Sequence, residues 1–282
     1  MMDNICITGG DGFIGSHLAK ALPGAHLFNF PEDDLRLIHD CYDFVQKYQP
    51  EYIFHLAAIS TVTHDDDLEA LSTNVDGTYN LLHACKLYAD RLKSFVHIST
   101  DKVYGCNGDA KRSDPLKAND HPYHTSKACG DMIAQMYADY YKLPISIIRT
   151  GNIYGPGDSH LDRIVPNVIT TTMRGQRKVM RSNGKFIRDY IYIDDLIPAY
   201  IRIADEPPGI YNLGGEYHSV IDVVRTITRL MGREDLEPVA GNTQHNEILF
   251  QHVVDCPDWW KPETSFEDGL LKTIEWYQQK YS

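Results

Sequence analysis

Thr8-Gly9-Gly10-Asp11-Gly12-Phe13-Ile14-Gly15-Ser16-His17-Leu18 follows the short apolar run Ile5-Cys6-Ile7 and runs into Ala21 and Leu22 at helical spacing. The order is strand, glycine turn, amphipathic helix. Gly9 and Gly12 let the backbone turn tightly and approach a pyrophosphate, and Gly15 lets the helix lie against the strand. The first N–H groups of that helix and its dipole, from Phe13 and Ile14 onward, then face the phosphates. A glycine string alone is a common structural turn. Its place between a buried strand and a helix makes it a dinucleotide site.

Outward from this turn, Leu27-Phe28-Asn29-Phe30 reads as a second strand. Pro31 stands where many dinucleotide folds place a ribose-binding carboxylate, with Glu32, Asp33 and Asp34 just after it. Glu32 or Asp33 must reach back, or the adenosine end is held otherwise. No basic residue follows at once, which favours NAD, with NADP not excluded. A helix is expected over about 35–48, ended by Pro50, then a strand over 52–56. The small residues Ala57 and Ala58 suit a backbone lying close to a cofactor. Further helices are expected over 68–88 and 123–141, with strands over 94–98 and 145–149.

This alternation calls for an α/β fold, a Rossmann-like doubly wound parallel sheet covered on both faces. Beyond Arg149 the rhythm breaks into a loop and shorter mixed elements. The expected organisation is a dinucleotide-binding domain over 1–155 and a smaller mixed α/β substrate domain over 156–282. Residues 189–206 are candidates to pack back on the first.

The chain has 282 residues, 43% of them hydrophobic, enough for a sizeable core. Its formal charge of −12 argues against non-specific nucleic-acid or anionic-membrane binding. The six cysteines (Cys6, Cys41, Cys85, Cys106, Cys129, Cys256) form no C-x-x-C pair. No signal peptide, membrane span or N-glycosylation sequon is visible, so a reduced cytoplasmic protein is expected. The histidines show no metal-ligand spacing, and His55 and His97, on strands, read as satisfied core residues.

The second informative stretch is Tyr123-His124-Thr125-Ser126-Lys127. Residues i and i+4 share a helix face, and an ammonium beside a phenol lowers its pKa from about 10 toward neutrality. Tyr123 is thus a candidate general base for a hydroxyl proton. Ser99-Thr100-Asp101-Lys102 ends a parallel strand, the edge where ligands of open α/β sheets collect. Thr100 can share the hydroxyl's hydrogen bond with Tyr123, and Asp101 and Lys102 are adjacent acid and base candidates.

These stretches resemble the extended short-chain dehydrogenase/reductases of the nucleotide-sugar epimerase/dehydratase family. The matching residues are Thr8–Leu18, His55–Ala58, Asn74–Thr78, Ser99–Gly105, Tyr123–Lys127, Arg149–Gly157 and Arg188–Leu196. The final third matches more loosely. The resemblance implies bound NAD(P), with Gly9, Gly12, Phe13, Ile14, Gly15, Asp34, Leu35, Leu56, Ala57, Ala58, Asn74, Tyr123 and Lys127 around it. It also implies a nucleoside-diphosphate sugar contacted by Thr100, Asn152, Arg163 and Arg188. Tyr123 would take the O4 proton as hydride leaves C4, Lys127 would hold the nicotinamide ribose, and Thr100 would orient O4.

Dehydratases of this family resemble one another in a Thr-Asp-Glu run, in which Asp protonates the leaving 6-hydroxyl and Glu takes the C5 proton. Thr100-Asp101-Lys102 is similar to the variant in CDP-glucose 4,6-dehydratases, with Lys102 at the base position. A lysine serves as base only when neutral. A nucleotide-sugar 4,6-dehydratase is therefore expected. The alternative is a 4-epimerase or 4-keto-sugar reductase; a non-catalytic NAD(P)-binding protein is more remote. The family also implies a homodimer paired through helices 68–88 and 123–141, here with Leu81, Tyr88, Ile133 and Tyr137 as the second apolar stripes. Met132, Met136 and Tyr140 are expected in the core or at the interface.

Overall fold

The computed structural model describes residues 2–60, 66–105, 108–118, 121–241 and 249–281; Cys106 lies outside them. In chain order the elements begin β1 (Ile5–Thr8), α1 (Phe13–Ala21), β2 (His26–Phe28), α2 (Ile38–Tyr48) and β3 (Tyr52–His55). Next come α3 (Asp67–Leu71), α4 (Gly77–Tyr88), β4 (Ser94–Ile98), β5 (Gly108–Ala110), α5 (Pro122–Tyr141), β6 (Ile145–Thr150) and β7 (Asn152–Tyr154). The remainder is α6 (Ile164–Met173), β8 (Ile187–Tyr192), α7 (Ile193–Ile203), β9 (Ile210–Leu213), β10 (Glu216–Ser219), α8 (Val220–Leu230), β11 (Phe250–Val253) and α9 (Phe266–Tyr281).

The chain divides into two compact units, the first made of Met1–Gly105, Arg112–Arg149 and Ile197–Asn212. Its sheet has the strand order β2-β1-β3-β4-β6-β9, and the pairings from β2 to β6 are parallel. Every residue of β4 and β6 is buried, as suits strands covered on both faces. The order reverses at β1, flanked by β2 and β3, so the glycine turn after β1 lies at the topological switch point. This is the expected doubly wound architecture.

Three expected elements differ in detail. The second strand stops at Phe28, and α2 starts at Ile38 because Asp34 folds the preceding residues into a turn. Its carboxylate accepts the Arg36 N–H at 2.9 Å, and Leu37 N–H donates to the Asp34 carbonyl at 2.9 Å. The helix expected over 68–88 is broken by a wide π-type turn at Ser72–Asp76. Such turns redirect side chains and recur at functional sites. Here it carries Asn74.

The proposed second apolar stripes are overturned in part. Leu81 and Tyr137 are sealed in the core, and Tyr88 and Ile133 pack against it. The exposed apolar side chains of these helices are Leu68, Leu71, Tyr79, Leu87, Met132, Met136, Tyr140 and Tyr141.

The second unit, Cys106–Lys111, Thr150–Leu196 and Leu213–Ser282, has a mixed sheet ordered β10-β8-β11-β5 with β7 also on β8. Only β10–β8 is antiparallel among these pairings. Helices α6, α8 and α9 pack on one another. The strong apolar face of α8 is buried through Val223, Val224 and Ile227.

Candidate active site

The glycine turn is built as a cradle. Gly9 has φ +70°, and a Cβ there would lie 2.9 Å from the backbone of Ala57. A Cβ on Gly15 would lie 1.9 Å from the Gly9 carbonyl oxygen, so only glycine lets α1 start this close to the turn. Gly12 is the N-cap of α1 and provides no side-chain cap to the first helical N–H groups. Those donors and the dipole are oriented for an anion. Phe13 is buried and Ile14 half-buried behind the turn. The residues therefore fit a dinucleotide pyrophosphate.

The segment after β3 is fixed from two sides. Thr8 Oγ1 accepts the Ala57 N–H at 3.1 Å, and Leu56 N–H donates to the Thr8 carbonyl at 3.2 Å. Asn74 accepts the Ile59 N–H at 2.8 Å and donates to the Ile59 carbonyl at 3.0 Å. Its amide also donates to Ser126 Oγ at 2.9 Å. Asn74 thus holds this segment and the helix bearing Tyr123 and Lys127 in register.

His55 is the satisfied core residue expected. Thr78 donates its hydroxyl to the Asn74 carbonyl, so it accepts from His55 Nε2 at 3.1 Å, and His55 Nδ1 accepts from Thr8 Oγ1 at 2.8 Å. His97 departs from expectation: it is buried, and neither ring nitrogen has a hydrogen-bond partner among the described residues. Burial and the charge of Lys127 push its pKa well below the ordinary imidazole range, so it is neutral.

At the C-terminal end of β4, Thr100 caps the 3-10 turn Asp101–Tyr104 by accepting the Lys102 N–H at 3.3 Å. Its hydroxyl donates to Asp101 Oδ1 at 3.1 Å. The Asp101 side chain is wholly buried, and Lys102 Nζ donates to both its oxygens, at 3.1 and 3.3 Å. The three candidates therefore form one hydrogen-bonded unit.

Tyr123 enters α5 in its first turn, where His121 caps the helix by accepting the Tyr123 N–H at 3.1 Å. One turn on, Lys127 is buried and its Nζ donates to the Ile98 carbonyl at 2.6 Å. That carbonyl lies two residues before Thr100, so Lys127 is anchored at the strand edge bearing the Thr100–Asp101–Lys102 unit. Desolvation pushes the Lys127 amine down to about 8, against the opposing pull of Asp131.

Two residues that the sequence reading passed over hold this site together. Arg149, on β6, and Asp131, on α5, form a fully buried two-pronged pair with contacts of 2.8 and 2.9 Å. Ser99 donates to Asp131 at 2.7 Å, and Arg149 donates to Tyr104 OH at 3.0 Å. Tyr104 in turn donates to Asn212 Oδ1 at 2.7 Å. The network ties α5 to both ends of the segment carrying Thr100, Asp101 and Lys102. Its signal was present: Arg149 is a charge in an otherwise apolar strand, which must be paired if buried.

Nearer the adenosine end, the Asp34 carboxylate is gripped by Arg36 through contacts of 2.6 to 3.0 Å, and that pairing holds its pKa below the ordinary carboxylate range. Leu35 is buried, and its carbonyl accepts from Asn80 at 2.9 Å.

In the second unit, Asn152 lies on β7 opposite Tyr190 of β8. Arg188, on β8, is nearly buried and donates to the Ile187 carbonyl at 2.8 Å. Arg163 precedes α6 and donates to the buried Asp158 at 3.1 and 3.2 Å. Among the described residues, no three His, Cys, Asp or Glu side chains are gathered to hold a metal ion.

A parallel sheet with a glycine cradle at its switch point, and a tyrosine–lysine helix beside a Thr-Asp-Lys strand end, defines a nicotinamide-dependent enzyme that acts on a hydroxyl. The chain belongs to the NAD dependent epimerase/dehydratase family, whose profile matches residues 5–214. It is 30% identical to the dTDP-glucose 4,6-dehydratase of Haemophilus influenzae, over 98% of this chain and 98% of that protein. It is 32% identical to a probable dTDP-glucose 4,6-dehydratase of Sinorhizobium fredii, over 97% and 92%. Among solved structures it resembles the NAD-bound dTDP-glucose 4,6-dehydratase of Streptomyces venezuelae, with a TM-score of 0.86 at 25% identity over 98% and 97%. The fold is also that of the UDP-glucose 4-epimerase of Thermotoga maritima, with a TM-score of 0.90 at 24% identity over 99% of both chains. The expected fold, family and NAD cofactor are borne out. No described helix is long and apolar enough to cross a membrane.

Proposed function

We propose that the protein is a nucleotide-diphosphate-sugar 4,6-dehydratase. The observation that carries this reading is the Thr100–Asp101–Lys102 unit at the end of β4. Oxidation at C4 needs a hydroxyl base and an orienting group, which Tyr123 and Thr100 supply. It does not need a buried carboxylate hydrogen-bonded to an ammonium. Loss of water across C5 and C6 does need an acid and a base together. The dehydratase names of the relatives support the same reading.

Tyr123 takes the O4 proton, Thr100 shares that hydrogen bond, and Lys127 stabilises the phenolate by its charge. NAD held at the glycine turn would supply reversible hydride acceptance, which the oxidation at C4 and the reduction at C6 both need. The 4-ketone acidifies C5–H. Passage of one proton from Lys102 Nζ to Asp101 along their 3.1 Å hydrogen bond creates a neutral amine and a carboxylic acid at once. Lys102 then takes the C5 proton, and Asp101 gives its proton to the departing 6-hydroxyl, which leaves as water.

Asn152, Arg163 and Arg188 are the proposed contacts of the nucleoside-diphosphate sugar, the arginines suiting a diphosphate through their planar donors. We place the reaction in a reducing cytoplasm, in keeping with the buried free thiols of Cys6, Cys41 and Cys85. A homodimer formed through Leu68, Leu71, Met132, Met136 and Tyr140 would cover the exposed apolar side chains of α3 and α5. Incubation with a panel of nucleotide-activated glucoses, read by mass spectrometry, tests the function. A product lighter by one water supports the dehydratase; unchanged mass with inverted C4 establishes an epimerase instead.

A further inference from the structure

In a Rossmann fold the end of the second strand holds the acid that binds the adenosine ribose. Here β2 ends at Phe28 and the next residue is Asn29, an amide. Asn29 Oδ1 accepts the Gly10 N–H at 2.7 Å. A backbone N–H can only donate, so this bond fixes the amide's orientation: oxygen toward the glycine turn, Nδ2 away from it. At this position the chain presents a donor and no negative charge.

The acid is restored by the turn that follows. Asp33 N–H donates to the Asn29 carbonyl at 2.9 Å, and the Asn29 N–H reaches the Asp33 carboxyl in return. These reciprocal bonds fold the chain back on itself, so a carboxylate four residues on returns to the strand end. Asp33 remains half-exposed there. Two of the neighbouring acids are committed, and the third is more exposed than Asp33. Asp34 is held by Arg36, Asp40 accepts the Asp34 N–H at 2.9 Å, and Glu32 is exposed. Burial and the charge of Asp40 push the Asp33 carboxyl up, partly offset by its bond from Asn29 and by Lys47. Hydroxyl donors would relieve such a carboxylate.

We propose that Asp33 accepts the adenosine ribose hydroxyls of NAD, with the Asn29 amide donating to the same ribose, and that Asp33 excludes a 2′-phosphate. Arg36 is the sole lysine or arginine between Lys20 and Lys47. It is already paired with Asp34 and lies 3.8 Å from Glu69, and the charge of Lys47 that reaches Asp33 is offset by that carboxylate. The proposal depends on the family's use of NAD and not on which reaction follows, so its failure leaves the dehydratase reading standing.

The test is calorimetric binding of NAD+, NADP+ and the 2′-deoxyadenosine analogue of NAD+ to cofactor-stripped protein. Wild type is expected to bind NAD+ about tenfold or more tightly than the 2′-deoxy analogue, as for one hydrogen bond to a charged group. Asp33→Asn should erase that difference, weaken NAD+ by about tenfold and narrow the preference over NADP+, whereas Glu32→Gln should match wild type. Equal binding of NAD+ and its 2′-deoxy analogue by wild type overturns the proposal, and this arm needs no variant to fold. So does an unchanged NAD+/NADP+ preference in Asp33→Asn, or the same shift in Glu32→Gln.

Discussion

Replacing Lys102 with methionine should separate oxidation from dehydration. Methionine keeps an unbranched stem and removes the ammonium. Lys102 Nζ lies 3.1 Å from Asp101 Oδ1, with the two side chains 16% and 0% exposed. At an effective dielectric of about 20, charges that close attract by about 5 kcal/mol. The variant therefore leaves Asp101 buried without its counter-charge. C4 oxidation, which the proposed mechanism gives to Tyr123 and Thr100, should survive. Removal of the C5 proton loses its base, worth about 10²–10⁴ in rate, or about 3–5 kcal/mol of barrier. Single-turnover measurements should show reduced-nicotinamide absorbance rising at near wild-type rate and then persisting. The 6-deoxy product should form at least about a hundred times more slowly, with no solvent deuterium entering C5. A variant that dehydrates within tenfold of wild type would refute the role given to Lys102. Loss of the first phase as well would place Lys102 in C4 oxidation or binding.

Other expectations follow from the same geometry. The Lys127 amine is pushed down to about 8, so the charge that stabilises the Tyr123 phenolate is present below that pH and lost above it. The kcat/KM profile should therefore fall as pH rises through about 8, and Lys127→Arg, which stays charged, should shift that limb upward on its residual activity. The sign for stability is opposite: the buried ammonium is a cost at low pH that fades between about 8 and the ordinary 10.5, measurable as a rise in the urea midpoint. Asp131→Leu should destabilise by about 3–5 kcal/mol in urea denaturation, because it strands the buried Arg149 guanidinium. The double variant with Arg149→Leu should recover most of that loss, and strict additivity would contradict the pairing. Met132→Glu with Tyr140→Glu should give monomers in sedimentation velocity, whereas Leu271→Glu, on α9, should not alter the oligomeric state.

The fold was legible because its signals are local. Ile5–Leu18 contains a strand, a turn and a helix start within fourteen consecutive residues, and no distant partner is needed to interpret them. Thr100–Lys102 and Tyr123–Lys127 are equally local, one at a strand end and the other one helical turn long. What remained hidden depends on partners far apart in sequence. Arg149 stands at the start of the Arg149–Gly157 motif, yet its role becomes evident only when β6 brings it to Asp131 on α5. The apolar stripe of α4 and α5 was misassigned for a similar reason. Helical spacing identifies two faces, but only packing decides that Leu81 and Tyr137 face the core while Met132 and Tyr140 do not.

The adenosine end shows where reading by position gives way to reading by geometry. The alignment with the Haemophilus influenzae relative runs to 345 positions against a chain of 282 residues, so that relative carries stretches this chain lacks. Here α2 alone leads from β2 to β3, preceded by the turn of residues 29–37. Which residue stands at a strand end can change without changing what the ligand needs there. The sequence shows Pro31 beyond β2 and suggests a missing carboxylate. In the fold, the amide of Asn29 secures the glycine turn, while backbone bonds to the same residue bring Asp33 back to the strand end. The same distinction applies to Lys102: a base is judged less by its residue type than by the proton its neighbour can take, and Asp101 lies within one hydrogen bond of it.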